Sequence, residues 1–383
     1  WLMRIVIAPD SYKGSLSAFE VANSIARGML KVFPLAEVLK VPIADGGEGT
    51  VEALVTATGG KMIVTEVSGP LNERVEACWG ILGDGETAVI EMATASGLTL
   101  ISKEKRNPLI TTTYGTGELI KEALDRGLRK LIIGIGGSAT NDGGAGVAQA
   151  LGVKLLDNQG NELPHGGAAL INLAEIDIAG LDKRLQESTI MVACDVDNPL
   201  CGERGASAVF GPQKGATPEM VAELDAALQN YQKIACKATG RNIAELPGAG
   251  AAGGLGAGLM FFTSAKLRPG VDIVIEATGL SDLVATADLV ITGEGCTDFQ
   301  TAFGKAPVGV AKLANQFGVP VVCLSGSLGQ GHHNVLDCGI DALMNIIPCP
   351  ICLEECMVNV DAFTEEAAIR LGYLLKVGMR MKT

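Results

Sequence analysis

Four segments of the chain combine carboxylates, hydroxyls or lysines with glycine, and each follows an apolar run. They are Asp10-Ser11-Tyr12-Lys13-Gly14-Ser15, Asp45-Gly46-Gly47-Glu48-Gly49-Thr50, residues 134–146, and Gly293-Glu294-Gly295-Cys296-Thr297-Asp298. One acidic loop at a strand end is often only a helix cap. Four in one chain point to a ligand site, because ligands of open parallel sheets sit at the carboxyl ends of the strands. The richest is Gly134-Ile135-Gly136-Gly137-Ser138-Ala139-Thr140-Asn141-Asp142-Gly143-Gly144-Ala145-Gly146. Its glycines let backbone N–H groups approach a ligand, and a following helix offers unpaired donors and a partial positive charge. That chemistry suits a phosphate. No Lys-Ser or Lys-Thr pair closes the segment, so it is not a P-loop.

Two other readings of this loop stay open on the residues alone. Gly134, Gly136 and Ala139 fit a dinucleotide fingerprint with alanine third, and Asp157, ending a strand over 153–156, stands where a ribose-binding acid belongs. The loop also reads as a purely structural glycine turn. The glycine- and alanine-rich stretch 248–258 reads either as a nucleotide-facing loop or as close helix packing. Lys13, Lys214 and Lys305 lie near the glycine segments and can neutralise phosphate or carboxylate oxygens. Any one of them taken singly reads as a solvated surface residue. The three histidines, His165, His332 and His333, lie outside the glycine loops, which argues against a Ser-His-Asp hydrolase. Carboxylates with lysines suit Mg²⁺-assisted phosphoryl transfer.

The elements that must position these residues follow from periodicity. A β-branched run at 6–8 precedes a helix that opens with Ser17 and Glu20 spaced as a capping box. A strand over 36–44, the Asp45 loop and an amphipathic helix ending at Gly59-Gly60 come next, a pattern that builds parallel sheets. The texture then changes. Short runs at 62–67, 75–82 and 87–92, the last two separated by Asp84-Gly85, predict an antiparallel meander. Helices are expected at 114–127 and 218–237, with strands at 130–134 and 190–193. Near 280 the parallel pattern returns, with strands at 288–292, 319–324 and 339–347 and helices at 306–317 and 361–380. The expectation is an α/β protein with a discontinuous, flavodoxin- or Rossmann-like parallel domain (1–61 and 280–383) and an inserted mixed α/β domain (62–279).

Composition bounds the rest. The 383 residues suggest two domains, and 48% hydrophobic residues exclude a mostly disordered chain. A net charge of −13 argues against nucleic-acid phosphates as partners. The uncharged stretch 246–265 holds six glycines and a proline and is a poor membrane span. The opening Trp1–Asp10 reads as a strand and not as a signal peptide. Ten cysteines without a disulfide framework read as reduced thiols in a cytoplasmic protein. Cys349-Pro350-Ile351-Cys352 has metal-ligand spacing, but no second pair completes a zinc site.

The sequence resembles the glycerate kinase family, in the branch of bacterial glycerate 2-kinases. The segments that carry the resemblance are IVIAPDSYKGSLSA (5–18), PIADGGEGT (42–50), TTTYGTGELI (111–120), IGIGGSATNDGGAG (133–146), VACDVDNPL (192–200), FGPQKGAT (210–217), LPGAGAAGGLGAGL (246–259) and ITGEG with GKAPVGVA (291–311). It implies transfer of the ATP γ-phosphoryl group to glycerate. It also implies two α/β domains, the first discontinuous, with the active site in the cleft between them. The family commonly has arginine after Gly-Glu-Gly, where this chain has Cys296, and serine and histidine where Phe299 and Phe303 stand. Arginine would make a bidentate contact to phosphate or carboxylate that cysteine cannot make.

With that resemblance, ATP is expected on Gly136, Gly137, Ser138, Thr140, Asn141, Asp142, Gly143 and Gly144, with Lys214, Gly293 and Glu294. Mg²⁺ is expected on Asp45, Asp142 and Asp195. Asp195 is the first choice of general base and Asp298 the second, with Lys13 also catalytic. Glycerate is expected on Asp10, Ser11, Lys13, Asp45, Glu48 and Lys305. The expected product is 2-phosphoglycerate. The choice against 3-phosphoglycerate rests on which hydroxyl lies in line with the γ-phosphate, a matter of ångströms. The other readings carried forward are a nicotinamide-dependent hydroxy-acid oxidoreductase and a non-catalytic hydroxy-acid-binding protein. No nucleic-acid or membrane partner is expected, and a homodimer stands as an option.

Overall fold

β-branched and aliphatic runs form the strands of this chain, and glycines let several of them and their loops approach closely. The computed structural model describes residues 2–381. Trp1, Lys382 and Thr383, which the expected first strand and domain limits include, lie outside the described residues. The strands are β1 (Arg4–Ile7), β2 (Glu37–Lys40), β3 (Lys61–Ser68), β4 (Arg74–Ile81), β5 (Thr87–Glu91), β6 (Lys130–Gly134), β7 (Lys154–Leu156), β8 (Glu175–Asp177), β9 (Thr189–Ala193), β10 (Lys266–Arg268), β11 (Leu289–Thr297), β12 (Val321–Leu328) and β13 (Ala342–Asn345). The chain divides into two units. Unit 1 is residues 1–45, 52–59 and 270–383; unit 2 is residues 46–51 and 60–269.

Unit 1 is built on a five-stranded parallel sheet in the order β13-β12-β11-β1-β2. The chain starts at β1, steps to β2 on one side, and later returns to place β11, β12 and β13 on the other. The order therefore reverses between β1 and β11, where Ile5 pairs with Leu289 and Ile7 with Ile291. The capping box forms as its spacing predicts: Ser17 Oγ accepts the Glu20 N–H, and Glu20 accepts the Ser17 N–H at 2.8 Å. The helix that it starts, Ala18–Val32, lies against the helix Val360–Met381. A side chain at Gly28 would run into the Glu365 carbonyl, so glycine sets their approach. Ile5, Ile7, Ile25, Met29, Ile291 and Leu324 are the centre of the core beneath. Helix Gly270–Thr278 packs on helix Ala306–Gln316 and belongs to this unit, so the parallel pattern resumes before residue 280.

Unit 2 carries a six-stranded mixed sheet in the order β10-β9-β6-β5-β4-β3. The pairs β3/β4 and β4/β5 are antiparallel, and β5/β6, β6/β9 and β9/β10 are parallel. The meander expected over 62–92 is β3 to β5. Its turn is held by Asp84, which accepts the N–H groups of Glu86 and Thr87. The expected strand at 153–156 does not join β6. As β7 it pairs with β8 in a separate antiparallel ribbon. The dinucleotide reading fails on that point, since it needs this strand beside β6. Asp157 instead accepts the N–H groups of Gln159 and Asn161 and shapes a local turn.

Candidate active site

Asp10 leaves the carboxyl end of β1 at the point where the strand order of unit 1 reverses. Its N–H donates to the Gly293 carbonyl (2.8 Å), and its Oδ1 accepts the Ser11 N–H (2.6 Å). The residue is 7% exposed. Burial, then the charge of Asp45 and, more weakly, that of Glu294, push its carboxyl up to about 7, against the pull of the Ser11 N–H and Lys13. Glu294 lies on β11. Its Oε1 accepts the hydroxyls of Thr297 (3.0 Å) and Thr301 (2.6 Å), and the Thr297 hydroxyl is joined to Ser325 at 2.7 Å. Burial pushes the Glu294 carboxyl up, and the two threonine hydroxyls and Lys305 draw it back. Tyr12 ties the Asp10 loop to β12 by donating to the Leu324 carbonyl at 3.0 Å.

These groups line a cavity of about 590 Å³ whose walls all come from unit 1. It gathers Asp10, Ser11, Lys13, Asp45, Glu294, Asp298 and Lys305 from the expected site residues. Lys13 is exposed, and Lys305 immediately precedes helix Ala306–Gln316. Asp298 Oδ1 accepts the Gln300 N–H at 2.8 Å. Cys296, the departure from the family pattern, also lines the cavity and is exposed. The segment 293–297 is not a loop. β11 runs through it to Thr297, paired with β12. Gly293 is buried there, and a Cβ on it would meet the Leu324 carbonyl. Sequence reasoning missed the opposite wall of the cavity, formed by Ile346, Ile351, Leu353 and Met357 with Cys352 and Cys356. Its signals in the sequence were the Cys349–Cys352 spacing, read only as a candidate metal pair, and the apolar residues that follow β13.

In unit 2 the carboxyl ends of β5, β6 and β9 present Glu91, Gly136-Gly137 and Asp195. The segment 46–50 crosses these ends. Side chains at Gly46 or Gly134 would collide with Ala193 or with the Gly46 carbonyl, which explains two glycines of the motif. Glu91 is a second residue that sequence reasoning missed. Its carboxylate accepts the N–H groups of Val51 (2.7 Å), Gly49 and Thr50, and so holds this segment. Only its place at the end of an apolar strand distinguished it. Glu48 and Asp195 are exposed residues of this unit.

Most of the polar side chains of the loop 138–146, expected on ATP, are turned into the interior of unit 2. Thr140, Asn141 and Asp142 are fully buried, and Ser138 nearly so. Asp142 Oδ2 accepts the Thr113 N–H (2.8 Å), the Thr113 hydroxyl (2.9 Å) and the Gly146 N–H (3.2 Å), and Oδ1 accepts the Gly144 N–H (3.1 Å). Burial pushes this carboxyl up, and its bonds hold the loop from within. Lys214 is buried too. Its Nζ donates to the Thr140 carbonyl at 2.7 Å, and burial lowers it to about 7. Gly143 donates to the Gly253 carbonyl, and Gly144 lies against Gly258. The stretch 248–258 is therefore a close-packed neighbour of the loop. Ser138, Thr140, Asn141, Asp142, Gly143, Gly144 and Lys214 are interior residues of unit 2. Only Gly136 and Gly137 of the loop are exposed.

Asp142 drops out of the expected Mg²⁺ set because its oxygens are enclosed and bonded. Among the described residues no group of three or more His, Cys, Asp and Glu side chains is placed to hold a metal ion. All ten cysteines are free thiols. No helix among the described residues is long and apolar enough to cross a membrane.

An open parallel sheet with acids and lysines gathered at its switch point is the build of an α/β enzyme acting on a small molecule. The glycerate kinase family pattern matches residues 5–376. The chain is 54% identical over 379 residues to a protein of Bacillus subtilis (strain 168) described as glycerate kinase, covering 99% of both. It is 52% identical over 378 residues to one of Escherichia coli (strain K12) described as glycerate 2-kinase, again covering 99% of both. The crystal structure of a Salmonella typhimurium LT2 protein, assigned only provisionally as glycerate kinase 2, superposes with a TM-score of 0.91 at 52% identity, covering 99% of this chain and 100% of that one. The chain belongs to the glycerate kinase family and is a kinase, which replaces the oxidoreductase reading.

Proposed function

We propose that this kinase transfers the γ-phosphoryl group of ATP to D-glycerate, giving 2-phosphoglycerate, with Mg²⁺ as the metal. The names of the relatives support the acceptor. The observation that carries the chemistry is Asp10, a buried carboxyl with a pKa of about 7 in a cavity that also holds Lys13 and Lys305. A base works best with a pKa near the working pH. Asp10 takes the proton of the glycerate hydroxyl, late in a loose transition state where positioning matters more than basicity. Ser11 and Lys13 hold the glycerate carboxylate, and Lys305 neutralises a phosphate. Asp298, already engaged by the Gln300 N–H, and Asp195, exposed in unit 2, rank behind Asp10 as the base.

Mg²⁺ commonly keeps several waters and takes one or two protein carboxylates plus phosphate oxygens. Asp45 and Glu294, whose charges both press on Asp10, fit that donor set. Bound there, the ion would supply charge neutralisation for the phosphate oxygens. The test is a ³¹P NMR assay with Mg-ATP and D-glycerate. A 2-phosphoglycerate signal is expected. A 3-phosphoglycerate signal would keep the kinase and change the regiochemistry, and the absence of either from folded protein would remove glycerate as acceptor.

A further inference from the structure

We infer that the apolar wall of the unit 1 cavity is a nucleobase site. A nucleoside triphosphate then lies along this single cavity, with its base on Ile351, Leu353 and Met357 and its phosphates toward Lys305, beside the glycerate carboxylate on Ser11 and Lys13. The inference rests on the kinase reading above and adds where the phosphoryl donor binds and what holds it.

The cavity is larger than its acceptor needs. About 590 Å³ lies in the range of roughly 300–1,000 Å³ that sites for cofactor-sized molecules occupy, far beyond the few non-hydrogen atoms of glycerate. Its lining is divided by chemistry. Acids, serines and both lysines come from beyond the ends of β1 and β2, from β11 and beyond its end, from β12 and from the start of helix Ala306–Gln316, and aliphatic side chains stand after β13. A ligand that matches both halves has a flat apolar ring at one end and a polyanion at the other. The apolar half is not spare core. Leu353 is 69% exposed and Met357 39% exposed, whereas the core beneath them is sealed. Apolar surface gathered at a cavity marks a binding face. The position agrees as well, at the carboxyl ends of strands beside the reversal of strand order. In the rival location, the loop 138–146, the Asp142 carboxylate and the Lys214 ammonium are turned inward and bonded within the unit.

Two thiols in this wall, Cys352 (exposed) and Cys356 (half-buried), report on occupancy without catalysis. The full chain is treated with iodoacetamide, and each cysteine is followed by mass spectrometry with ADP or D-glycerate present. ADP at about ten times its dissociation constant should slow alkylation of Cys352 roughly tenfold by mass action, and glycerate should leave it nearly unchanged. Leu353→Asp, at an exposed position that tolerates a charge in the fold, should raise KM for ATP about tenfold or more and KM for glycerate less than about twofold. Unchanged alkylation with ADP, in enzyme that turns over ATP and glycerate, overturns the nucleobase site and leaves the kinase reading intact. Protection by glycerate equal to that by ADP overturns it too. Protection by ADP in protein that phosphorylates no glycerate keeps the site and removes the acceptor.

Discussion

Asp10 is ionised only against its surroundings, and the fold carries that strain. Its carboxyl stands at about 7 instead of the ordinary 3.8, chiefly through burial and then through Asp45. Between those two values the folded state holds a proton that the unfolded chain has lost, so stability falls as pH rises from about 4 to about 7. Above 7 the ionised group costs about 4 kcal/mol relative to an unperturbed carboxylate. Asp10→Asn should therefore lower kcat by about two decades or more and yet raise the melting temperature at pH 8. The stability gain should fade toward pH 4, where Asp10 is protonated in the native protein. A variant that loses activity and stability together would make Asp10 a structural residue. Wild-type kcat/KM should rise with pH and level off above about 7. Cys296 carries a second prediction at this scale. Cys296→Arg adds a fixed, planar cation to the cavity and should lower KM for glycerate or ATP, as steady-state kinetics would report. Asp10 and Lys13 were singled out from sequence, but the pKa of Asp10 was not legible. It depends on Asp45 and Glu294, which only the sheet brings near.

At the scale of elements, glycine does two different things that look alike in sequence. In β11 it permits contact between strands. Gly293→Ala would drive a Cβ into the Leu324 carbonyl and force β11 from β12, costing at least about 2 kcal/mol in denaturant unfolding and displacing Glu294. In the loop 138–146 it permits backbone-to-backbone packing, fastened by Asp142 and Lys214 from inside. Burial lowers Lys214 to about 7 from 10.5, so between those values the unfolded chain binds a proton that the folded chain does not. Stability should rise by about 2 kcal/mol from pH 7 to pH 9 on this account, and Lys214→Met should abolish the rise. Urea unfolding at the two pH values decides it. The capping box at Ser17 and the Asp84 turn were legible because each is complete within a few residues. The continuation of β11 through Thr297 was not, because it depends on pairing with β12.

At the scale of the whole molecule, the chain leaves unit 1 twice and returns to it. Unit 2 takes the short segment 46–51 from between two pieces of unit 1, and Glu91 holds that segment by its backbone. A fragment of residues 60–269 retains two hydrophobic clusters of its own and should unfold cooperatively. It lacks the donors for Glu91, so a buried carboxylate is left without its partners, a penalty of about 1–3 kcal/mol or more. Glu91→Leu should stabilise the fragment and destabilise the intact protein, a crossing of effects that calorimetry on the four species would detect. No crossing would mean that Glu91 does not depend on the segment. The change of texture near residue 62 was legible from the shift between parallel and meander patterns. The assignment of helix Gly270–Thr278 to unit 1 was not, since it rests on packing against Ala306–Gln316.

Sequence alone determined the α/β class, the acidic glycine loops, the caps and turns, and the resemblance to a kinase family. These are properties of neighbours in the chain or of motifs read in order. Tertiary structure alone decided which loops face a ligand. Asp10-Ser11 and Asn141-Asp142 are equally polar in sequence, yet the first opens into a cavity and the second is sealed by Thr113, Gly253 and Lys214. Burial, and with it the pKa of a carboxyl or the exposure of an apolar wall, is set by residues distant in the chain that meet only when the sheet is assembled.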